Sequence, residues 1–146
     1  MGQLELFGAQ PELVAYVDGG ARGNPGPAGY GVRIEGTDGQ MLDEIYGSLG
    51  TATNNVAEYH GLLAALRWAA DHGGRLLRVR SDSELLVRQM RGEYRVKNAG
   101  LQPLHREACR LVARLDTVTF EHVPREQNTE ADRLANRAMD EAARQP

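Results

Sequence analysis

The chain has 146 residues, of which 41% are hydrophobic and 25% charged, and this ordinary globular composition excludes disordered and fibrous classes. The formal net charge of −3 argues against a protein that grips nucleic acid by charge alone, although acidic residues dominate positions 1–72 and basic residues positions 73–146. The single cysteine, Cys109, excludes an internal disulfide, and no apolar run reaches the ~18 residues of a membrane span, so we expect a monomeric cytoplasmic protein without membrane association.

The N-terminal half is predicted to contain a tail, three strands and a helix. Residues 1–12 are polar and broken by Gly and Pro, which indicates a flexible tail before a domain at 13–146. The apolar run 13–17 predicts a buried strand that ends at Asp18. This strand is followed by a Gly/Pro-rich turn at 23–27 and by strands at 30–34 and 41–49. Helical spacing begins at Asn54, and Asn55 is the candidate cap of that helix.

The C-terminal half alternates between strand and helix periodicity. The predicted elements are a strand at 76–81, helices at 83–90 and 101–115, a strand at 118–123 and a helix at 128–143. The order βββαβααβα predicts an α/β fold with a five-stranded mixed sheet flanked by helices.

Four acidic residues lie close to the ends of these predicted elements. Asp18 follows a buried strand, Glu58 faces inward on the first helix, Asp82 closes the fourth strand, and Asp132 opens the last helix. Each has a purely structural alternative. Asp18 can serve an Asp-Gly turn, and the other three occupy sequences that resemble helix-capping boxes.

Considered together, the four carboxylates predict a site for hard divalent cations. Oxygen donors suit Mg²⁺ or Mn²⁺, and no His/Cys spacing points to zinc. Two such ions about 4 Å apart can promote phosphodiester hydrolysis. The sequence lacks the Gly-x-Ser-x-Gly elbow of serine hydrolases and the lysine of a P-loop, so those two chemistries are disfavoured.

Four sequence blocks resemble type 1 ribonuclease H in order and spacing. They are 16–31, with Asp18-Gly-Gly and Gly-Asn-Pro-Gly-Pro; 53–59, Thr-Asn-Asn-Val-Ala-Glu-Tyr; 80–85, Arg-Ser-Asp-Ser-Glu-Leu; and 128–135, Asn-Thr-Glu-Ala-Asp-Arg-Leu-Ala. The resemblance extends from about residue 13 to 143, and the predicted order of elements is also that of the family's fold.

The resemblance implies an endonuclease that hydrolyses the RNA strand of RNA·DNA hybrids with two Mg²⁺ ions, or Mn²⁺ as a substitute, and leaves 5′-phosphate and 3′-hydroxyl ends. It implies that the metal-binding, catalytic carboxylates are Asp18, Glu58, Asp82 and Asp132. It further implies that Asn24, Asn54, Asn55, Ser83 and Glu84 contact the RNA strand and Thr53 a phosphate of the DNA strand. For two of these the structural alternatives stay open, since Asn24 is also a turn residue and Asn55 a helix cap.

Two features depart from the family pattern. Many members carry a Gly-His-x-Gly loop with a mobile His before the last acid, and residues 122–128 replace that loop here. Arg125 or Glu126 can occupy the space of the His, and Glu126 is the candidate for its catalytic role. The Lys/Trp-rich protrusion of many members is also missing from 87–103. A catalytically weak or inactive hybrid-binding domain is therefore the main alternative, followed by a related exonuclease or integrase.

The predicted tail contains a second resemblance. Gln3, Leu4, Leu6 and Phe7 are similar to the short motif with which bacterial replication proteins dock on the sliding clamp. The structural alternative is a tail that folds back on its own domain. The resemblance therefore indicates the sliding clamp as a second partner besides the hybrid.

Overall fold

A computed structural model describes residues 12–145, in which five strands and four α-helices follow one another in the predicted order. The elements are β1 (Glu12–Ala21), β2 (Gly26–Gly36), β3 (Met41–Ala52), α1 (Asn54–Asp71), β4 (Leu76–Ser81), α2 (Glu84–Met90), α3 (Gln102–Val112), β5 (Thr117–His122) and α4 (Thr129–Arg144). A short 3-10 turn at Arg125–Gln127 separates β5 from α4. The α/β class with a five-stranded mixed sheet is confirmed.

The predicted tail lies outside the described residues, except that Glu12 already belongs to β1. The clamp-like residues Gln3, Leu4, Leu6 and Phe7 are therefore not part of the structure described here. Within residues 12–145, no helix combines the length and the apolar character needed to cross a membrane.

The sheet has the strand order β3-β2-β1-β4-β5, with β1 in the centre. β1 and β2 pair antiparallel, as do β2 and β3, whereas β4 runs parallel to both β1 and β5. The parallel pairing of β1 with β4 ends at Val17 and Ser81, but the antiparallel pairing with β2 continues to Ala21. β1 thus separates from β4 at Asp18, and a cleft opens at the carboxyl ends of the two parallel strands.

This pairing corrects the prediction that the first strand ends at Asp18, because β1 continues to Ala21. Asp18 is a strand residue opposite Gly31, and Gly19 and Gly20 extend the ladder opposite Tyr30 and Gly29. The sequence Asp-Gly-Gly suggests a turn locally, but the hydrogen bonds to β2 keep it extended. The turn alternative for Asp18 is therefore wrong.

Helices α1 and α4 cover opposite faces of the sheet, and glycines let both approach closely. A Cβ at Gly19 would lie 2.4 Å from the Ala57 carbonyl carbon in α1. At Gly31, a Cβ would lie 2.5 Å from the Ala131 carbonyl oxygen in α4. Since Gly19 pairs with Tyr30, the residue before Gly31, and neighbouring side chains alternate across a strand, these two contacts are on different faces. The main hydrophobic core lies beneath helices α1, α2 and α3. Its buried members include Val17, Ile34, Leu62, Leu66, Val79 and Leu111.

The Gly31→Ala substitution is expected to lower the free energy of unfolding by about 1–3 kcal/mol, because the added methyl group collides with the backbone of α4. Urea unfolding measures the change. Gly100→Ala is the matched control, since the closest atom to a Cβ there is a side-chain oxygen at 3.1 Å. Equal stability of the two variants would contradict the close approach of α4.

The observed helix caps remove the structural alternative for the other three acids. The Thr53 hydroxyl accepts a hydrogen bond from the Val56 N–H at 3.2 Å, so Thr53 caps α1 and the prediction of Asn55 as the cap is wrong. The Ser83 hydroxyl caps α2, and α4 follows Asn128 without a side-chain cap. Glu58, Asp82 and Asp132 take no part in these caps, so helix capping does not explain them.

Candidate metal centre and substrate cleft

Three of the four predicted carboxylates converge at the cleft where β1 leaves β4. One oxygen from each of Asp18, Glu58 and Asp82 lies within 4.8 Å of the other two. Asp18 comes from β1, Glu58 from the N-terminal part of α1, and Asp82 directly follows β4. The parallel strands bring Asp18 and Asp82 to the same sheet edge, and the close packing of α1 on Gly19 brings in Glu58.

The fourth carboxylate, Asp132, lies close to this cluster on α4. It lines a cavity of about 670 Å³ together with Asp18, Glu58 and Asp82. A hydrogen bond and the negative charge of Asp132 are among the interactions that raise the pKa of Asp18. The structure therefore brings all four predicted acids to one cavity, although they come from four different elements.

The carboxylates are held in an environment that disfavours their charged forms. Burial, the charge of Asp82 and the hydrogen bond with Asp132 raise the pKa of Asp18 to about 8. Burial and the charges of Asp18 and Asp82 raise the pKa of Glu58 well above its ordinary value, and burial also raises the pKa of Asp82. A buried Glu58 oxygen, Oε2, has no hydrogen-bond partner.

These features fit a site for hard divalent cations. Every donor in the cluster is a carboxylate oxygen, the ligand type that Mg²⁺ and Mn²⁺ prefer. Neighbouring buried carboxylates without a counter-charge are unfavourable, and a bound cation removes that cost. The Glu58 oxygen without a protein partner is thus available as a ligand.

Basic side chains from two parts of the chain line the same cavity. Arg22 comes from the loop between β1 and β2, whereas His122 and Arg125 lie at the end of β5 and just after it. His122 Nε2 is 3.3 Å from the Asp82 backbone oxygen, and the positive charge of Arg125 acts to lower the pKa of Asp82. Glu126 is exposed and does not line the cavity. This placement argues against the catalytic role predicted for Glu126, because the 3-10 turn brings Arg125 and not Glu126 to the carboxylates.

Two of the predicted RNA contacts, Asn24 and Asn54, and the predicted DNA contact, Thr53, lie at or next to the cavity. The Asn24 side-chain oxygen accepts a hydrogen bond from the Asn54 backbone N–H at 2.9 Å, and the Asn54 side-chain oxygen accepts one from the Ala21 N–H at 2.7 Å. These bonds join the β1–β2 loop to the start of α1. Asn54 lines the carboxylate cavity, whereas Thr53 and Asn24 are exposed beside it. The turn role of Asn24 and its position near the cavity are therefore compatible.

The remaining predicted contacts lie near Glu58 on the side of α2. Asn55 and Ser83 line a small pocket that also includes Glu58. The exposed Glu84 pairs with Arg88 at 2.8 Å, one helical turn further along α2. The predicted residues thus lie on both sides of the carboxylates, as a bound strand would require.

Asn128 lies buried at the carboxylate site, a position to which the sequence reasoning gave no role. Its side chain is 1% exposed, and its amide nitrogen donates to the Val17 carbonyl oxygen at 2.9 Å, next to Asp18. A hydrogen bond from Asn128 acts to lower the pKa of Asp82. Asn128 therefore ties the start of α4 to β1 and Asp82. The sequence placed Asn128 at the start of the predicted last helix and of the fourth resemblance block, and neither position indicated its contacts.

The sequence matches a protein family and several individual relatives. A family model described as reverse transcriptase-like matches residues 16–138. The bifunctional protein Rv2228c of Mycobacterium tuberculosis is 47% identical over 133 residues, which are 90% of this chain and 36% of that protein. Ribonuclease HI of Halobacterium salinarum is 42% identical over 128 residues, 88% of this chain and 64% of that protein. The chain thus spans about a third of the length of Rv2228c and just under two thirds of the length of the Halobacterium ribonuclease HI.

Solved structures show the same arrangement of elements. The N-terminal ribonuclease H domain of Rv2228c superimposes with a TM-score of 0.90 at 47% identity, covering 92% of this chain and 97% of that one. LC11-RNase H1 in complex with an RNA/DNA hybrid has a TM-score of 0.84 at 44% identity, covering 89% and 98%. Both likenesses combine sequence identity with nearly complete coverage of the compared chains.

Proposed function

The chain belongs to the type 1 ribonuclease H family, and on this premise we propose that it is an endonuclease that hydrolyses the RNA strand of RNA·DNA hybrids. The observation that carries the proposal is the cluster of Asp18, Glu58 and Asp82, with Asp132 in the same cavity. The relatives named as ribonuclease H and the hybrid complex of LC11-RNase H1 support the substrate class. The products would carry 5′-phosphate and 3′-hydroxyl ends.

The family depends on divalent metal ions, and the donors present here fit that requirement. We propose that Asp18, Glu58, Asp82 and Asp132 hold two Mg²⁺ ions, or Mn²⁺ in their place. Such ions supply an activated water and neutralise charge on the phosphodiester. The chain's own contribution is to keep the four carboxylates on separate rigid elements, with Asn128 fixing the start of α4 against β1.

The polar residues around the cavity would select and place the RNA strand. Asn54 and Asn24 are connected by a hydrogen bond, so together they present a fixed polar surface next to the carboxylates. Amide and hydroxyl groups can recognise the ribose 2′-hydroxyl, which is the group that distinguishes RNA from DNA. We assign RNA contacts to Asn24, Asn54, Asn55, Ser83 and Glu84, and a contact with a DNA-strand phosphate to Thr53.

We propose that Arg125, and not the Glu126 that the sequence had suggested, acts at the cleavage site. Its guanidinium lies at the cavity near Asp82, where it can hold a phosphate group or stabilise charge that develops during cleavage. The Arg125→Ala variant is expected to lower kcat/KM for hybrid cleavage at least ~10-fold, whereas Glu126→Ala stays within about two-fold of wild type. Steady-state kinetics on both variants measures this. A larger loss in Glu126→Ala than in Arg125→Ala would reverse the assignment.

Cleavage assays on three matched duplexes test the proposed function. The substrates are an RNA·DNA hybrid, an RNA·RNA duplex and a DNA·DNA duplex of the same sequence, with and without Mg²⁺. We expect cleavage of the hybrid's RNA strand alone, and only with the metal. Binding of the hybrid without cleavage would instead establish the alternative, a hybrid-binding domain.

We also propose that Gln3, Leu4, Leu6 and Phe7 dock the protein on a sliding clamp. Support comes from the resemblance of these residues to clamp-binding motifs, and burial of Leu6 and Phe7 in a partner would contribute about 1.5–3 kcal/mol each. Titration of a labelled peptide of residues 1–12 against purified clamp tests this, with a Leu6→Ala, Phe7→Ala peptide as control. Binding below about 10 µM that the double substitution removes is expected. Absence of binding at tenfold higher concentration would refute it.

A further inference from the structure

Arg22 is a cation at the edge of the carboxylate cavity to which neither the sequence resemblance nor the proposed mechanism gives a role. It directly follows the last residue of β1 and lines the cavity together with Asp18 and Asp132. Among the described residues that line this cavity, the other basic side chains, His122 and Arg125, come from a different part of the fold. Arg22 therefore adds positive charge on the side of the β1–β2 loop.

The backbone at Arg22 is held in one position. Its N–H donates to the Pro27 carbonyl oxygen at 2.9 Å across the loop. A Cβ at Gly26 would lie 1.6 Å from the Arg22 carbonyl oxygen, so the loop can close in this way only with glycine at that position. The hydrogen bond between Asn24 and Asn54 then anchors the loop to α1. The Arg22 side chain is consequently the movable part of a fixed loop.

The Arg22 side chain lies on α4 in the free protein. Its Nη1 pairs with Asp140, and its Nη2 is 3.4 Å from the Asn136 side-chain oxygen. The Arg22 and Asp140 side chains are 45% and 51% exposed, and an ion pair this open to solvent contributes little to stability. A phosphate group can replace Asp140, since guanidinium groups bind phosphate through two parallel hydrogen bonds.

We propose that Arg22 binds a backbone phosphate of the RNA strand beside the scissile one and exchanges Asp140 for that phosphate when substrate is bound. The inference rests on the proposed function. A polyanion that enters the cavity meets four carboxylates, and basic side chains at the rim add to the metal ions in offsetting their repulsion. Arg22 and Arg125 provide such charges from two different elements.

Substitution of Asp140 distinguishes phosphate binding by Arg22 from a purely structural role. If Arg22 serves only to fasten the loop to α4, Arg22→Ala and Asp140→Asn remove the same ion pair and have the same effect. If Arg22 binds phosphate, Asp140 competes with the substrate for the guanidinium. Arg22→Ala then weakens hybrid binding, whereas Asp140→Asn frees the arginine and does not weaken it.

Equilibrium binding of a labelled RNA·DNA hybrid over a range of salt concentrations is the test, with Mg²⁺ present and Asp18→Asn as the background that prevents cleavage. We expect Arg22→Ala to weaken binding about 5–10-fold and to lower the slope of log affinity against log salt concentration by about one. Asp140→Asn should bind as tightly as the background or up to about three-fold more tightly. Arg110→Ala is the matched control, since Arg110 is 60% exposed, pairs with Glu107 on α3 and does not line the cavity; it should stay within about two-fold.

Two results would overturn the role of Arg22. One is unchanged affinity and salt slope in Arg22→Ala, and the other is equal weakening by Arg22→Ala and Asp140→Asn. Cleavage by the wild-type protein is measured in parallel. If wild type cuts the hybrid while Arg22→Ala binds normally, only this inference fails; if wild type neither binds nor cuts the hybrid, the proposed function fails and this inference with it.

Discussion

Asp18→Asn is expected to abolish hybrid cleavage, with a loss of at least ~1,000-fold in the single-turnover rate at saturating Mg²⁺. Asp18 contributes one of the three carboxylate oxygens that lie within 4.8 Å of one another, and the amide replaces the carboxylate of a proposed metal ligand with a neutral group. The substitution keeps the size of the side chain, so circular dichroism should show a native fold.

Asp116→Asn is the matched control for this prediction. Asp116 is exposed and pairs with Arg75 at 3.7 Å, outside the residues that line the cavity. This variant should cleave the hybrid within about two-fold of the wild-type rate. Turnover by Asp18→Asn within a few-fold of wild type would contradict the assignment of Asp18 to the metal centre.

The metal-free protein is expected to lose stability as the pH rises from about 4 to about 8. The pKa of Asp18 is about 8 in the folded protein, against 3.8 for the ordinary side chain. Between these values the folded state keeps a proton that the unfolded state has released, so raising the pH favours unfolding. The raised pKa values of Glu58 and Asp82 act in the same direction.

The Asp18→Asn variant isolates this effect, because it removes the titrating group and its repulsion of Asp82. In EDTA, the free energy of unfolding of this variant should be higher than that of wild type by a few kcal/mol at pH 8. Near pH 4 the difference should be much smaller. Urea unfolding at the two pH values measures the difference, with Asp116→Asn as the control. An equal difference at both pH values would show that the carboxylate cluster does not destabilise the metal-free fold.

The order of elements was predictable because each carries its own periodicity. Leu62, Leu66 and Ala69 repeat at helical spacing, and the apolar run before Asp18 is long enough only for a strand. The sequence placed Asp18 and Asp82 near the ends of strands in one predicted sheet, but the parallel pairing of β1 with β4, which brings them to the same edge, was found only in the structure. The extent of β1 did not follow from the sequence either, because whether Gly19 and Gly20 turn or stay extended depends on their pairing with β2.

Several features of the site depend on contacts between distant parts of the chain. Arg22 and Asp140 are 118 positions apart, and Asn128 reaches the Val17 carbonyl across 111 positions. A local pattern contains no signal for such pairs. The choice between Arg125 and Glu126 likewise depended on how the 3-10 turn is placed against Asp82. The sequence therefore pointed to the carboxylates and named Arg125 beside Glu126, but it gave no role to Arg22 or Asn128.

Hydrolysis of the RNA strand of a hybrid is tested most directly with a duplex of two strands. One labelled strand carries a block of ribonucleotides between two deoxyribonucleotide segments, and the other strand is DNA. In Mg²⁺, the wild-type protein should cut the labelled strand only within the ribonucleotide block, leave 5′-phosphate ends and spare the DNA strand, and EDTA should prevent cleavage. Two results would contradict the proposed ribonuclease H activity. One is an intact labelled strand under conditions where the protein binds the duplex, and the other is cleavage within the deoxyribonucleotide segments.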